Sequence, residues 1–258
     1  MPTNTPHTLT LGFIGTGVMG AAMAGHLVAA GYRVLVHSRT RIKAKTIIDQ
    51  GGVWVDSLAT LAQQVDVVFT MLGFPHEVQQ VYLGEAGLLT HGKSGQIWVD
   101  CSTSSPALAQ QIAQVAHGKN IKALDAPVSG GDVGAREARL SFMVGGCEQA
   151  YEQILPLLQV MGKQIVHHGD AGNGQHCKLA NQITACGILM SAVEALIYAQ
   201  KSGLDPHKML QSVGNGASAS VVLQVLMPRV LAGNFDPGFY IQHYVKDMDL
   251  ALTECACL

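Results

Sequence analysis

The chain is short of charge and of aromatic residues, and its cysteines and histidines fall in no ordered pattern. Only 13% of its 258 residues are charged and 5% aromatic, against 48% hydrophobic. So apolar a chain with so little charge predicts heavily buried elements or a subunit interface. The formal net charge is −2 and no basic block occurs, which excludes an electrostatic footprint for nucleic acid. The six cysteines, Cys101, Cys147, Cys177, Cys186, Cys255 and Cys257, form no CxxC pair. Reduced thiols in a cytoplasmic protein are expected, not a disulfide scaffold. Eleven histidines show no HxxxH or HExxH spacing, so no metal site is expected. No stretch of about eighteen apolar residues is free of charged or polar breaks, so no membrane span is expected. The first ten residues lack the basic start of a signal peptide. There is no internal repeat and no low-complexity tract.

What the sequence does have is alternation. Residues 9–14 form an apolar strand pattern, and Gly15-Thr16-Gly17-Val18-Met19-Gly20 follows as GxGxxG. A helical pattern over 21–30 closes at Gly31, and a second strand pattern covers 33–37. Strand, glycine turn, helix and strand within about thirty residues is the context that gives this motif meaning. The first glycine permits the turn, the second lets pyrophosphate approach the backbone, and the third lets helix and strand pack closely. The phosphates would sit on the exposed amides at the helix N-terminus, with Gly15, Thr16, Gly17, Val18 and Met19 as the expected cofactor-binding residues.

The second strand sorts the cofactor. An NAD site wants an acid at the strand end for the ribose hydroxyls. Here His37, Ser38, Arg39 and Thr40 stand there instead. Arg39 can fork onto a ribose 2′-phosphate while Ser38 and Thr40 donate hydrogen bonds. This favours NADP, with NAD as the alternative. Further strands at 65–71, 96–100 and 121–125 alternate with helices at 76–83 and 107–116. Segments 140–144 and 164–168, around a helix at 147–161, are expected as the last units of the same sheet domain. Ligands of such sheets lie beyond the carboxyl ends of the strands. Met71, Leu72, Ser102 and Thr103 are therefore expected to line the cofactor groove. The alternative for Ser102 or Thr103 is to cap the next helix.

After residue 170 strand patterns vanish. The expected architecture is α/β: a Rossmann-type doubly wound sheet domain over residues 1–170, joined by a long helix to an all-helical domain over 171–258. That helix, read over 175–200, carries only two charged residues, Lys178 and Glu194, so most of its faces should be buried. Lys178, Asn181 and Gln182 stand at i, i+3 and i+4, on one face. Gly172 and Gly174 just before it would let another backbone or a ligand come close. A lysine in apolar surroundings has its pKa pulled toward neutrality, which suits a proton donor. Ser129, Gly130 and Gly131 form a turn with open amides that suits a carboxylate. A further helix is expected over 206 onward, then a helical stretch over 221–231 interrupted at Pro228. A last helix over 245–257 should carry Lys246 and Asp247 in its first turn.

Four stretches taken together resemble one family: GFIGTGVMG (12–20), DAPVSGG (125–131), GNGQHCKLANQ (172–182) and KDMD (246–249). They are similar to the β-hydroxyacid dehydrogenases, the group of 3-hydroxyisobutyrate dehydrogenase, tartronate semialdehyde reductase and the glyoxylate and succinic semialdehyde reductases. The resemblance implies Lys178 as the acid/base lysine and Asn181 as the amide that places the substrate. It implies Ser129, Gly130 and Gly131 as the carboxylate loop. Thr103, Met71 and Leu72 would be cofactor contacts, and Lys246 would lie near the nicotinamide. It implies a small carboxylate substrate and a homodimer or homotetramer. Gln182 reads like the tartronate semialdehyde reductases, whereas Arg39-Thr40 reads like the NADP-using semialdehyde reductases, so the substrate stays open. Family members continue past the KDMD helix, whereas these residues stop at Leu258 inside a helical pattern, which implies a second domain short of its last helices. Two other readings start from the same residues. One is an imine-reductase-like enzyme, which by resemblance carries another residue at the lysine position. The other is a non-catalytic NADP-binding protein.

Overall fold

The computed structural model describes residues 9–236 and 238–257. The signal-peptide reading of residues 1–8, and the expectation placed on Leu258, lie outside the described residues. The first half alternates as expected: β1 (Thr10–Ile14), α1 (Val18–Ala29), β2 (Arg33–His37), α2 (Lys45–Asp49), β3 (Val53–Trp54), α3 (Leu58–Ala62), β4 (Val67–Thr70), α4 (Pro75–Leu83), α5 (Leu88–His91), β5 (Ile97–Asp100), α6 (Pro106–His117) and β6 (Lys122–Asp125). These six strands form one parallel sheet in the order β3-β2-β1-β4-β5-β6. The order reverses between β1 and β4, and that reversal opens a crevice at their carboxyl ends.

Central strands such as VVFT and IWVD are buried along their whole length, as a sheet covered on both faces requires. One face carries Leu11, Phe13, Val36 and Phe69 against Met23 and Leu27 of α1. The other carries Ile14, Leu35, Val68 and Trp98 against Val78 and Tyr82 of α4 and Ile112 of α6. Gly31, at φ 91°, ends α1, and its amide bonds Val28 O.

The chain then leaves this sheet. Pro127 has no amide hydrogen to continue a ladder. β7 (Val128–Ser129), α7 (Gly131–Arg136), β8 (Leu140–Val144), α8 (Glu148–Met161) and β9 (Gly162–His167) follow. Segments 140–144 and 164–168, expected as the last units of the sheet domain, form β8 and β9 of a separate three-stranded sheet within it, β7-β8-β9. β7 pairs antiparallel and β9 parallel to β8, and a single bridge between Asp125 and Gly145 joins the two sheets. Buried Ile154, Leu157 and Leu158 of α8 close the core over them.

α9 (Asn173–Lys201) begins two residues before the expected start and runs for 29 residues. α10 (Pro206–Val213) follows, with Asp205 accepting from the amides of His207 and Lys208. Over 222–226 the backbone is a wide π turn that feeds α11 (Met227–Leu231). The helical stretch is continuous over 221–231, and at Pro228, which has no amide to donate, its hydrogen-bond pattern changes from the π turn to α11. α12 (Ile241–Cys255) starts four residues earlier than read, so Lys246 and Asp247 fall in its second turn. A small core of Ala192, Leu196, Leu210, Leu223 and Met227 holds these helices together.

The expectation that most faces of α9 are buried does not hold for this chain. Ile183, Met190 and Ile197, seven residues apart on one stripe, are exposed, as are Val193 and Tyr198. By length and composition alone, α9 is also long and apolar enough to cross a membrane. Here it packs against β8, α6, α10 and α12.

Candidate active site

The glycine loop after β1 is built as its sequence requires, and each glycine has a separate reason. Gly15 has φ 93° and donates its amide to His37 O at 3.0 Å. A Cβ at Gly15 would lie 2.3 Å from Met71 O, and one at Gly20 would lie 1.9 Å from Gly15 O. Gly17 is different, because a Cβ there would meet nothing within 4 Å. The open space lies over the N-terminus of α1, whose first turn has no side-chain cap. The Thr16 hydroxyl is buried beside it without a partner. Open space, uncapped amides and an unpaired hydroxyl at a helix N-terminus fit a dinucleotide pyrophosphate.

Around this cradle the strand ends are cross-braced. The Asp100 carboxylate, at the end of β5, accepts from Thr70 Oγ1 at 2.7 Å and from the Ser102 amide at 3.0 Å. Burial raises its pKa to about 6, opposed by the bonds from Ser102 and Thr70, while nearby Asp125 adds to the rise. Ser102 Oγ in turn accepts from the Leu72 amide at 2.9 Å, so it ties the loop after β4 to the loop after β5. Neither Ser102 nor Thr103 caps α6; Ser105 does, accepting from the Leu108 amide.

At the end of β2, Ser38 is half-buried and Arg39 and Thr40 are exposed. Arg39 does not reach into solvent unpaired. Its guanidinium lies 2.8 Å from Glu77 Oε1 of α4, with the arginine side chain 86% exposed. Glu77 is itself held by the Gly73 amide at 2.9 Å.

Lys178 is 6% exposed, and Gln182, one turn on, is 4% exposed. Asn181 donates to Gln182 Oε1 at 2.7 Å, and Gln182 donates to Asp247 Oδ2 of α12 at 2.5 Å. Lys246 Nζ donates to Thr103 O at 2.6 Å. It also lies 2.7 Å from Asp247 Oδ1, close enough to pair by charge though not aligned for a hydrogen bond. Among the described residues Lys178 has no hydrogen bond of its own. Burial draws its amine from the ordinary 10.5 down to about 8; the Asp247 carboxylate opposes this, and the Lys246 ammonium adds to it. Gln175, one turn earlier, is fully buried. Its side chain accepts from the Ser104 amide at 3.0 Å and donates to Ser102 O at 2.8 Å. The lysine face of α9 is thereby fixed to the loop after β5, the same loop that borders the cofactor crevice.

Two sequence profiles together span the chain from residue 10 onward. That of the NAD binding domain of 6-phosphogluconate dehydrogenase matches residues 10–169. That of the NAD-binding region of NADP-dependent 3-hydroxyisobutyrate dehydrogenase matches residues 172–258. The chain belongs to the β-hydroxyacid dehydrogenase family. A probable 3-hydroxyisobutyrate dehydrogenase-like protein of Arabidopsis thaliana is 46% identical over 252 residues, 97% of this chain and 75% of that one. The 2-hydroxy-3-oxopropionate reductase of Escherichia coli is 37% identical over 250 residues, 97% of this chain and 85% of that one. The crystal structure of Mycobacterium tuberculosis 3-hydroxyisobutyrate dehydrogenase with L-serine superposes with a TM-score of 0.88 at 30% identity, covering 97% of this chain and 88% of that one. An imine reductase of Myxococcus stipitatus shares the fold at 22% identity, with a TM-score of 0.74.

In this β-hydroxyacid dehydrogenase Asn181, Gln182, Asp247, Lys246 and Thr103 form one chain of polar contacts, and Lys178 is coupled by charge to Asp247 and Lys246. Ser129 ends β7, and Gly130 and Gly131 follow at φ 127° and 64°. Positive φ at two successive residues is affordable because both are glycines. A Cβ at Gly131 would meet nothing within 4 Å, so that turn is open. Gly172 and Gly174 serve a backbone approach. A Cβ at Gly174 would lie 2.4 Å from Met143 O and 2.6 Å from Asp125 O. Sequence reasoning gave no role to Asp247, Gln175 or Glu77. Asp247 had a usable signal, an acid directly after Lys246 in an otherwise mostly apolar helix. Gln175 and Glu77 act through partners too distant in sequence to be read.

Proposed function

We propose that this chain interconverts a small 3-hydroxy acid and its semialdehyde, with Lys178 as proton donor and acceptor and NADP as the preferred cofactor. The carrying observation is Lys178: the residue is 6% exposed, its amine has no hydrogen bond among the described residues, and burial tunes that amine to about 8. An ammonium so largely shielded from water gains from an acceptor, and a substrate oxygen provides one. Gly15–Met19 would hold the cofactor, which when bound would supply or take up hydride at the substrate carbon. In the reductive direction Lys178 gives its proton to the carbonyl oxygen as the C–H bond forms, so C=O becomes CH–OH and the amine is left neutral. In oxidation the same amine removes the hydroxyl proton. Asn181, half-buried beside it, orients the oxygen. The open Ser129–Gly131 turn takes the substrate carboxylate. Met71, Leu72 and Thr103 border the cofactor, with Lys246 between Thr103 and Asp247.

The NADP preference rests on Ser38, Arg39 and Thr40 where an NAD site would place an acid. The profile matching the second half, named for an NADP-dependent enzyme, agrees with it. A homodimer or homotetramer would cover the Ile183, Met190 and Ile197 stripe, and sedimentation velocity reads that state directly. The test of function is Lys178→Ala assayed on a panel of three- and four-carbon hydroxy acids and semialdehydes. Cofactor binding should persist while turnover falls by about a hundred- to ten-thousand-fold. Near-normal turnover in this variant removes Lys178 from the chemistry.

A further inference from the structure

α9 carries Lys178, yet no side chain of its own caps it. Gly172 stands at the capping position with φ 93°. Its amides are taken by a carboxylate from another layer of the fold. Asp125 Oδ1, at the end of β6, accepts from the Gly172 amide at 2.7 Å, and Oδ2 accepts from the Gln175 amide at 2.8 Å. The Gly174 amide also faces this carboxylate. Asp125 is 3% exposed.

Two glycines close the fit around this carboxylate. A Cβ at Gly174 would lie 2.8 Å from Asp125 Oδ2, and one at Gly145 would lie 2.7 Å from Oδ1. Any side chain at either position would push the acid off the helix end. Gln175, Lys178 and Gln182 follow at three- and four-residue spacing on one face of α9. Gln175 is pinned to Ser102 O and the Ser104 amide, and Gln182 to Asp247. The lysine is therefore bracketed by fixed residues one turn before and one turn after it, with Asp125 at the root.

We propose that Asp125 is a positioning residue for the reaction: by holding the first amides of α9 it sets the height and rotation of the helix, and so where Lys178 Nζ stands against the ends of β4 and β5. An ordinary helix cap contributes stability alone. This one crosses from the cofactor sheet to the lysine helix, so it sets the geometry of proton transfer. The inference rests on the reading of Lys178 as acid/base.

Asp125→Asn keeps the shape, loses the charge and turns one acceptor into a donor facing an amide. In the cofactor-free protein, amide hydrogen exchange should speed up at 172–175 and stay unchanged in α1 and β1. The cofactor dissociation constant should stay within about twofold, because the phosphate cradle is untouched. kcat should fall by about a hundredfold, the cost of a misplacement of about an ångström, and the primary isotope effect with 4-deuterated cofactor should grow. Wild-type kcat and isotope effect in a folded Asp125→Asn overturn the proposal. So does a kcat loss matched by faster exchange throughout the chain, which marks a merely structural role. If the amide variant does not fold, Asp125→Glu carries the same test by pushing the helix out one methylene. Reduced kcat with retained cofactor affinity supports the proposal, and unchanged kcat overturns it. Normal turnover in Lys178→Ala would sink the underlying reading instead; a dead Lys178→Ala with a normal Asp125→Asn sinks only the positioning role.

Discussion

Lys178→Met should make this protein inactive and more stable. The methionine fills a similar volume and removes a buried charge. It leaves no orphan behind, because Asp247 keeps Lys246 against one oxygen and Gln182 on the other. Burial draws the lysine pKa from 10.5 to about 8, so the folded state bears a charge it disfavours at neutral pH. At about 1.4 kcal/mol per unit, that depression costs the folded state about 3 kcal/mol. The sign follows from proton counting. Below pH 8 both folded and unfolded chains carry the proton, and the cost is complete. Between about 8 and 10.5 the folded lysine loses its proton first, and stability rises with pH. Above 10.5 neither state is charged and the cost is gone. Lys178→Met should therefore melt about 5–10 °C above wild type at pH 7, with the difference shrinking at pH 9 and vanishing near 10.5. Thermal melts across that range provide the assay. A variant that is no more stable at pH 7, or whose gain does not shrink with rising pH, would refute the reasoning.

Three further outcomes follow from the site. Gly17→Val should melt like wild type, since Gly17 sits at φ −70° with open space at its Cβ, but should lose at least about tenfold in cofactor affinity by fluorescence titration. Glu77→Gln releases Arg39 from its carboxylate partner, so the KM for NADPH should fall while that for NADH holds. The arginine side of the ion pair is largely exposed, so a change of about two- to fivefold is expected in steady-state assays. Asp247→Asn removes the charge that holds the Lys178 pKa up. The basic limb of the reductive pH profile should then move to lower pH, read from kcat/KM between pH 6 and 9.

The cofactor half of the site was legible because its determinants are local. Gly15, Gly17 and Gly20 act within one turn, and the strands around them are short apolar runs bounded by turn residues. The lysine face of α9 was legible for the same reason, since helical spacing alone places Lys178, Asn181 and Gln182 together. What escaped was non-local. Asp125 meets Gly172 and Gln175 across about fifty residues, and no periodicity reports a carboxylate that caps a helix in another layer. The second sheet escaped because β8 is as apolar as a strand of the first, and only Pro127 hinted at the exit. The early start of α12 at Ile241 brings His243 against Phe74 of the loop before α4, with ring centroids 5.1 Å apart, a contact between residues far apart in sequence. The exposed stripe of α9 escaped because composition reports that a surface is apolar, not which molecule covers it.

The central claim is that one lysine, poised near pH 8, moves the proton in both directions. It is tested by kcat/KM measured against pH for reduction of the semialdehyde and for oxidation of the hydroxy acid by the same protein. Mirrored limbs with one shared midpoint near 8 are expected: reduction falls above it, as the amine loses its proton, and oxidation rises toward it. Profiles that bend in the same direction, or that show no inflection near 8 in either, would contradict it.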